Sequence, residues 1–401
     1  MRHSMRAALA APLLLATSSV IHAQNPGTTS TAFNPAVSLI LNGHYIGYSE
    51  DPDGYALPGF LLGAEAGLNP EGFSLDETEL AMSANVDDKF YGFMTASMAE
   101  EGGETSIGLE EAYFETLVLP HGLTVKAGRF LSDIGYLNPI HSHAWKFADA
   151  PLAYRAMLNT SYKDTGVQLR WVAPAPILIE IGGEWLRGDA FPAAGAEASS
   201  GRGASSLFVH FGGDVGAANS WRTGVSRLSV DANGRESAFD DALAVFTGSS
   251  DLTIVDFVWK WARRGNPRDR SFVAQAEYLH RSESGTVSVA NVLPVPLQGG
   301  YDGTQDGFYA EGVYQFRPRW RVGLRYDRLD ASNDVTGIVA TTPLGDTSHS
   351  PTRTSVMVDF SNSEFSRLRV QWNRDESRPV VDEQVFVQYL MSLGAHGAHR
   401  F

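Results

Sequence analysis

The chain contains no cysteine, which excludes disulfide scaffolds, thiolate metal sites and thiol nucleophiles. It is also poor in charge: Asp, Glu, Lys and Arg make up 19% of 401 residues, against roughly 25% in ordinary soluble domains. Positive charge is the scarcer sign, with 31 Lys and Arg against 46 Asp and Glu and a net charge of −15. That balance argues against nucleic acid as a partner. No segment after the N-terminal leader approaches the roughly 20 consecutive apolar residues of a spanning helix. Phosphate-binding glycine loops, a nucleophile elbow and metalloprotease helix motifs are missing. The carboxylates are spaced as strand faces, not as an acid/base pair, so neither enzymatic chemistry nor a cofactor is expected. What the chain has in quantity is glycine (40 residues) and aromatic side chains (11%). At this length that composition suits one large all-β barrel better than two or three soluble domains.

The first residues read as an export signal. Arg2 and Arg6 precede an apolar run from Ala7 to Leu15, and a small and polar stretch ends Ile21-His22-Ala23-Gln24. These are the three regions of a secretory leader, with cleavage expected after Ala23. The expected organisation is a signal peptide over 1–23, a periplasmic lead over 24–35 and a barrel over 36–401.

From there one unit repeats: about ten residues alternating polar and apolar, then a turn. Val255, Phe257, Val258, Trp259 and Trp261 flank Asp256 and Lys260; Leu368, Val370 and Trp372 alternate with Arg367, Arg369, Gln371 and Asn373. Period two means strands with one apolar and one polar face. Candidate strands begin near Ala36, Phe73, Phe90, Thr105, Leu123, Thr165, Ile177, Ser206, Ser220, Leu252, Ser271, Gly307, Trp320, Thr354, Phe365 and Gln384. That makes about 16, an even number, as closed bacterial barrels have. Every second connection is short and rich in Gly, Pro, Asn and Asp, such as Pro120-His121-Gly122 and Arg317-Pro318-Arg319. The intervening ones are long: 51–70, 132–164, 189–205, 233–251, 282–306 and 332–351. Short periplasmic turns against long extracellular loops is the asymmetry of a transmembrane antiparallel β-barrel. Aromatics gather where strands meet turns (Phe90, Tyr91, Trp221, Trp261, Phe272, Phe316, Trp320, Phe365), as at a membrane–water interface. Burying Arg321 and Arg325 in the core of a soluble barrel would be costly, so lipid is expected outside and water inside.

Periodicity then places charge in the lumen. Glu77, Glu79, Glu111, Glu115, Glu180 and Glu184 fall on inward positions of early strands, and Arg321, Arg325, Arg367 and Arg369 on inward positions of late ones. Opposed acidic and basic walls would set ion selectivity, with the arginines as an anion-attracting arc.

The segment Glu110-Glu111-Ala112-Tyr113-Phe114 through Val125-Lys126-Ala127-Gly128-Arg129-Phe130 resembles a hairpin of bacterial outer-membrane porins of the phosphate-selective type. The chain is also similar to short barrels known as zinc-regulated outer-membrane receptors. The last strand, Gln384 to Leu393, leads to Phe401. The porin resemblance implies that Phe401 is read by the barrel assembly machinery, although the ending Gly394 to Arg400 departs from an alternating final strand. It further implies residence in the outer-membrane lipid of a Gram-negative cell, passive diffusion of small hydrophilic solutes, and a homotrimer. The receptor resemblance gives the alternative, ligand-specific uptake of zinc. Energy-coupled receptors carry a folded plug, and the first strand here begins too soon after the leader to leave room for one.

Porins fold their third external loop into the barrel as a constriction, and residues 132–164 hold that place. This stretch is unusually apolar and aromatic for an exposed loop, and Asp133, His141, His143, Trp145, Lys146 and Arg155 are its candidate constriction residues. His141 and His143 also form an H-x-H that puts two imidazoles on one side of an extended segment, a partial ligand set for zinc, copper or nickel. His396 and His399 form a second histidine pair near the C-terminus.

Overall fold

A computed structural model describes residues 35–101, 104–193, 203–239, 242–290, 297–337, 344–345 and 348–394. The leader, Phe401 and the pair His396/His399 lie outside the described residues. The strands are β1 (Ala36–Gly47), β2 (Gly72–Leu75), β3 (Thr78–Asn85), β4 (Phe90–Glu101), β5 (Glu104–Thr116), β6 (Leu123–Leu131), β7 (Lys163–Val172), β8 (Leu178–Leu186) and β9 (Ala204–Val215). They continue as β10 (Asn219–Phe239), β11 (Ala242–Ala262), β12 (Ser271–Ala290), β13 (Leu297–Arg317), β14 (Trp320–Thr336), β15 (Thr352–Ser363), β16 (Ser366–Glu376) and β17 (Asp382–Gly394). One α-helix, α1 (Leu152–Leu158), lies between β6 and β7.

From β3 onward each strand pairs antiparallel with the next, and β1 closes the circle on β17 from Ser38↔Gly394 to Gly47↔Val385. The 17 segments make a 16-strand barrel because β2 and β3 are one spanning strand, both paired with β1. Gly43 opposes Leu75 and Ile40 opposes Glu79, so Asp76, Glu77 and Thr78 face only Leu41 and Asn42. One extra residue kinks the wall there, as a β-bulge does.

The alternation expected from the sequence is the alternation of burial. On β16, Leu368, Val370 and Trp372 are exposed outward while Arg369, Gln371 and Asn373 are buried inward. On β14, Leu324 and Tyr326 are outward and Arg325 and Asp327 inward. An apolar exterior around a charged interior is stable only in lipid, and this is a closed transmembrane barrel.

Two expectations change. The described residues of 233–251 and 282–306 are paired strand, not loop: β10 and β11 pair from Asn219↔Trp261 to Phe239↔Ala242 with one bulge between Asn233 and Arg235, and β12 and β13 from Ser271↔Gln315 to Val289↔Leu297. Beyond the lipid the outer face has no need of apolar residues, so the period fades there. The inner face keeps it, and Ala232, Phe246, Val287, Val289 and Tyr301 pack with Leu61 and Leu344. Tyr91, expected in the aromatic girdle, pairs with Glu115 on the inward face.

Candidate functional site: the lumen and its inserted loop

Residues 132–162 fold into the barrel. Their apolar side chains (Ile134, Leu137, Tyr154, Met157, Leu158) form one core with Leu228 and Val230 of β10, Leu252 and Ile254 of β11, Leu279 of β12, Tyr309 of β13 and Leu329 of β14. Tyr55, Leu57, Phe60 and Leu62 of the first long loop join it. The unusual apolarity of this segment is thus spent on the inner wall. Helix α1 sits in the middle and ends at Asn159, whose left-handed backbone (φ 53°) directs its N–H to the Tyr154 carbonyl, a C-cap that tolerates Asn.

Three polar anchors fix the loop around the circumference. At its start, the Ser132 hydroxyl and the Asp133 amide (3.0 Å) donate to Glu184 of β8. Next, the Tyr136 and Leu137 amides donate to Glu277 of β12 at 3.1 and 2.9 Å, and the hydroxyls of Tyr154 (2.8 Å) and Tyr309 (2.5 Å) converge on the same carboxylate. On the far wall Asp149 accepts from Arg325 at 2.7 Å, Gln371 at 2.6 Å and Asn373 at 3.1 Å, and lies 2.8 Å from Arg353. Burial alone would raise the Asp149 pKa; the guanidiniums of Arg325 and Arg353 outweigh it and hold the carboxyl well below the usual range.

Between these anchors the histidines meet the early wall. His141 sits between two carboxylates, Nδ1 3.2 Å from Glu79 and Nε2 2.8 Å from Glu111, and His143 Nδ1 lies 2.8 Å from the other Glu79 oxygen. Glu77, placed in the kink and not within a strand, accepts from Ser142 at 2.8 Å. Burial by itself would lower the His141 pKa, but Glu79 and Glu111 raise it well above the ordinary value. His141 is therefore an imidazolium pinning the loop to two strands. The contribution is complete below the unfolded histidine pKa of about 6.5 and disappears as pH rises through the higher folded value. Limited proteolysis of residues 132–162 is accordingly expected to be slow at neutral pH and to accelerate on alkalinisation. A His141→Gln variant should be cut at one pH-independent rate over the same range.

The metal expectation fares differently. Both ring nitrogens of His141 are engaged by carboxylates, and among the described residues no group of three or more potential ligands is arranged to hold a metal ion.

The remaining expected residues are distributed as follows. Glu115 and Glu180 approach Arg170 at 3.4 and 3.9 Å, and Glu180 also meets His210 at 3.0 Å. Asp133 accepts from Gln168 at 3.1 Å. Trp145 donates to the Ile140 carbonyl at 2.8 Å and Lys146 lies 3.2 Å from Glu311. Arg155 does not face the lumen: it is buried on α1, donating to the carbonyls of Ala66 (2.8 Å) and Gly67 and so tying the inserted loop to the first long loop.

Arg325 is matched by Asp149 and Asp327, and Arg321 by Asp359 through two bonds of 2.8 Å. The late wall is thus mixed, not uniformly basic. Period two on β15 would have supplied its missed members, since Arg353 and Asp359 share a face. Glu110 was hidden for another reason. A bulge opposite Thr95/Ala96 turns it inward beside Glu111, where it accepts from Ser97 at 2.8 Å and pairs with Lys163.

This architecture defines a class, the closed 16-strand transmembrane β-barrel with an inserted loop. Among solved structures, it matches a loop-deletion form of the outer-membrane protein OmpT of Vibrio cholerae (TM-score 0.54, 10% identity, 90% of this chain and 99% of that one). It also matches the outer-membrane channel DcaP of Acinetobacter baumannii (TM-score 0.53, 13% identity, 92% and 99%). A third match is an anion-selective porin of Comamonas acidovorans (TM-score 0.51, 9% identity, 90% and 99%). No protein-family model matches the chain. In sequence it is 30% identical to an uncharacterized protein of Aquifex aeolicus over 92% of this chain and 80% of that one. The chain belongs to the same family as that Aquifex protein.

Proposed function

We propose that the protein is a porin of the Gram-negative outer membrane, passing small hydrophilic solutes or ions by diffusion through a lumen narrowed by residues 132–162. The observation that carries this reading is the inverted barrel with a loop anchored inside it at Glu184, Glu277 and Asp149. A barrel that served only as an adhesive or structural element has no use for an inner wall of charge coupled to an inserted loop. On this reading Glu79, Glu111 and the histidines they hold form the acidic side of the passage, and Arg321, Arg367 and Arg369 the basic side.

The homotrimer suggested by porin resemblance is part of the same proposal; one similar Vibrio cholerae structure is described as a trimer. Recognition of Phe401 by the assembly machinery also belongs to it. The test is single-channel recording of refolded protein in a planar bilayer under a salt gradient. Steady ohmic openings with a defined reversal potential are expected. Silence from protein that runs as a folded, heat-modifiable barrel would overturn the reading.

A further inference from the structure

Glycine inside a strand often marks a close approach of another backbone. Gly128 and Gly166 fit that rule, since a Cβ would meet a main-chain oxygen of the neighbouring strand at 2.2 and 2.1 Å. Gly43 does not. It stands on the outward face of β1, between inward Asn42 and His44, opposite Tyr389 of β17 on one side and Leu75 of β2 on the other. A Cβ there would meet only the Tyr389 carbonyl, at 3.9 Å, and its φ lies outside the left-handed region. Neither conformation nor space asks for glycine at this position, so what it contributes is a missing side chain. The kink at Asp76–Thr78 removes a second one. Strict alternation from outward Leu75 would put Glu77 outward too, but Glu77 turns into the lumen and accepts from Ser142 at 2.8 Å.

The two absences coincide with a groove of about 460 Å³ lined by Gly43, Tyr45, Phe73, Leu75, Val387 and Tyr389. That volume falls within the roughly 300–1,000 Å³ of small-molecule sites. Phe73, 90% exposed, is the barest large apolar side chain among the described residues, and it meets Tyr45 edge-on with ring centroids 4.9 Å apart. No Asp, Glu, Lys or Arg lines the groove, so nothing in it selects a charged headgroup. It also continues the lipid-facing wall without a break. Val385 of β17 and Val370 and Trp372 of the adjoining β16 are outward and apolar beside it. Its height is informative. Gly43 lies nearer the long-loop end of β1 (Gly47) than the other end (Ala36). Tyrosines, apolar in the ring and polar at the hydroxyl, belong where hydrocarbon gives way to headgroups.

We propose that this groove is a discrete binding site for one acyl chain of a membrane lipid, taken from the leaflet nearer the long loops. The hydrocarbon fills the hollow over Gly43, and the phenol hydroxyls of Tyr45 and Tyr389 are the donors available to an ester oxygen. The site differs from the rest of the lipid-facing wall in having a shape that a chain can occupy, so its lipid is bound and not merely adjacent. The inference goes beyond the porin reading: it concerns the outside of the barrel and holds whether or not the lumen conducts.

The probe is a phosphatidylethanolamine with a diazirine in the middle of one acyl chain, mixed into vesicles that hold the barrel. After irradiation, peptide mapping should find label on Tyr45 and Tyr389 at least fivefold above Phe257 and Trp259, outward residues of β11 that are exposed to a similar degree. Gly43→Leu, whose Cβ the backbone admits, should bring that labelling down to the β11 level and leave β11 itself unchanged. Native mass spectrometry of the detergent-solubilised protein should show one retained lipid per barrel, lost in Gly43→Leu. Even labelling of both regions in the wild type overturns the site. So does excess label at Tyr45 and Tyr389 that persists in a folded, heat-modifiable Gly43→Leu barrel. The chain has no cysteine, so oxidation of Phe73→Cys reports the competing occupant, a second copy. Barrels that stay uncrosslinked are expected; a disulfide between two copies would assign the groove to a subunit contact and overturn the proposal. A barrel that retains its lipid but conducts nothing leaves the site standing and removes the porin reading.

Discussion

An Asp149→Asn barrel is expected to release its inserted loop. The substitution keeps the side-chain shape and removes the charge that Arg325 and Arg353 share. Breaking one side of a buried ion cluster costs roughly 3–5 kcal/mol, because the orphaned charges stay buried. Asp327 and Asp375 retain part of the compensation for the two arginines, and of the two only Asp327 also touches the loop, accepting from the Leu152 amide at 2.9 Å. The cost therefore falls on the docked state of residues 132–162, with the strands left paired. Trypsin should then cut at Lys146 and Arg155, half-buried and buried in the docked loop, faster than in the wild type, and single-channel conductance should rise at least twofold. Asp51→Asn, on an exposed stretch of the first long loop, should change neither. Unchanged protection in Asp149→Asn would show that the apolar contacts of α1 hold the loop without this anchor.

The second large effect concerns the outside of the barrel. Leu324→Arg places a cation on the outward face of β14, between neighbours that are equally apolar. On an aqueous surface such a change is worth about 0.5 kcal/mol or less. At the middle of a bilayer it costs about 2–4 kcal/mol. Guanidinium unfolding of the protein in lipid vesicles should show the larger figure. Glu364→Arg, in the short exposed turn after β15, should show the smaller one. A small effect at position 324 would mean that this face does not look at lipid.

The architecture was legible because period two is a property of consecutive residues. The alternation of Leu368, Val370 and Trp372 with Arg369, Gln371 and Asn373 is enough to identify both faces of β16. The kink at Asp76–Thr78 was invisible, since one extra residue looks like more of the same strand until its partner is known. The bulge at Glu110 defeated strict alternation for the same reason. Charge balance was illegible for a deeper cause. Arg325 and Asp149 are 176 residues apart, and no local pattern says that an external loop will deliver a carboxylate to the far wall. The sequence thus placed four late-strand arginines on inward positions without showing which of them are neutralised. The sequence set His141 and His143 side by side, but their carboxylate neighbours, which take both nitrogens of His141 and Nδ1 of His143, come from two other strands.

The docking of residues 132–162 also makes the loop depend on distant parts of the wall. The loop precedes β7 in the chain, yet most of its partners lie on β10 through β16, which emerge afterwards. Until β10 to β14 have paired, Leu137, Tyr154, Met157 and Leu158 lack most of the wall that covers them. Only when β11 to β14 arrive can this segment condense, and only the β1–β17 pairing seals the circle around it. Contacts of such separation form slowly, because chain entropy is lost before they reward it. A barrel whose β10 to β14 had not yet paired would present this apolar segment, unclaimed, to whatever lies nearby.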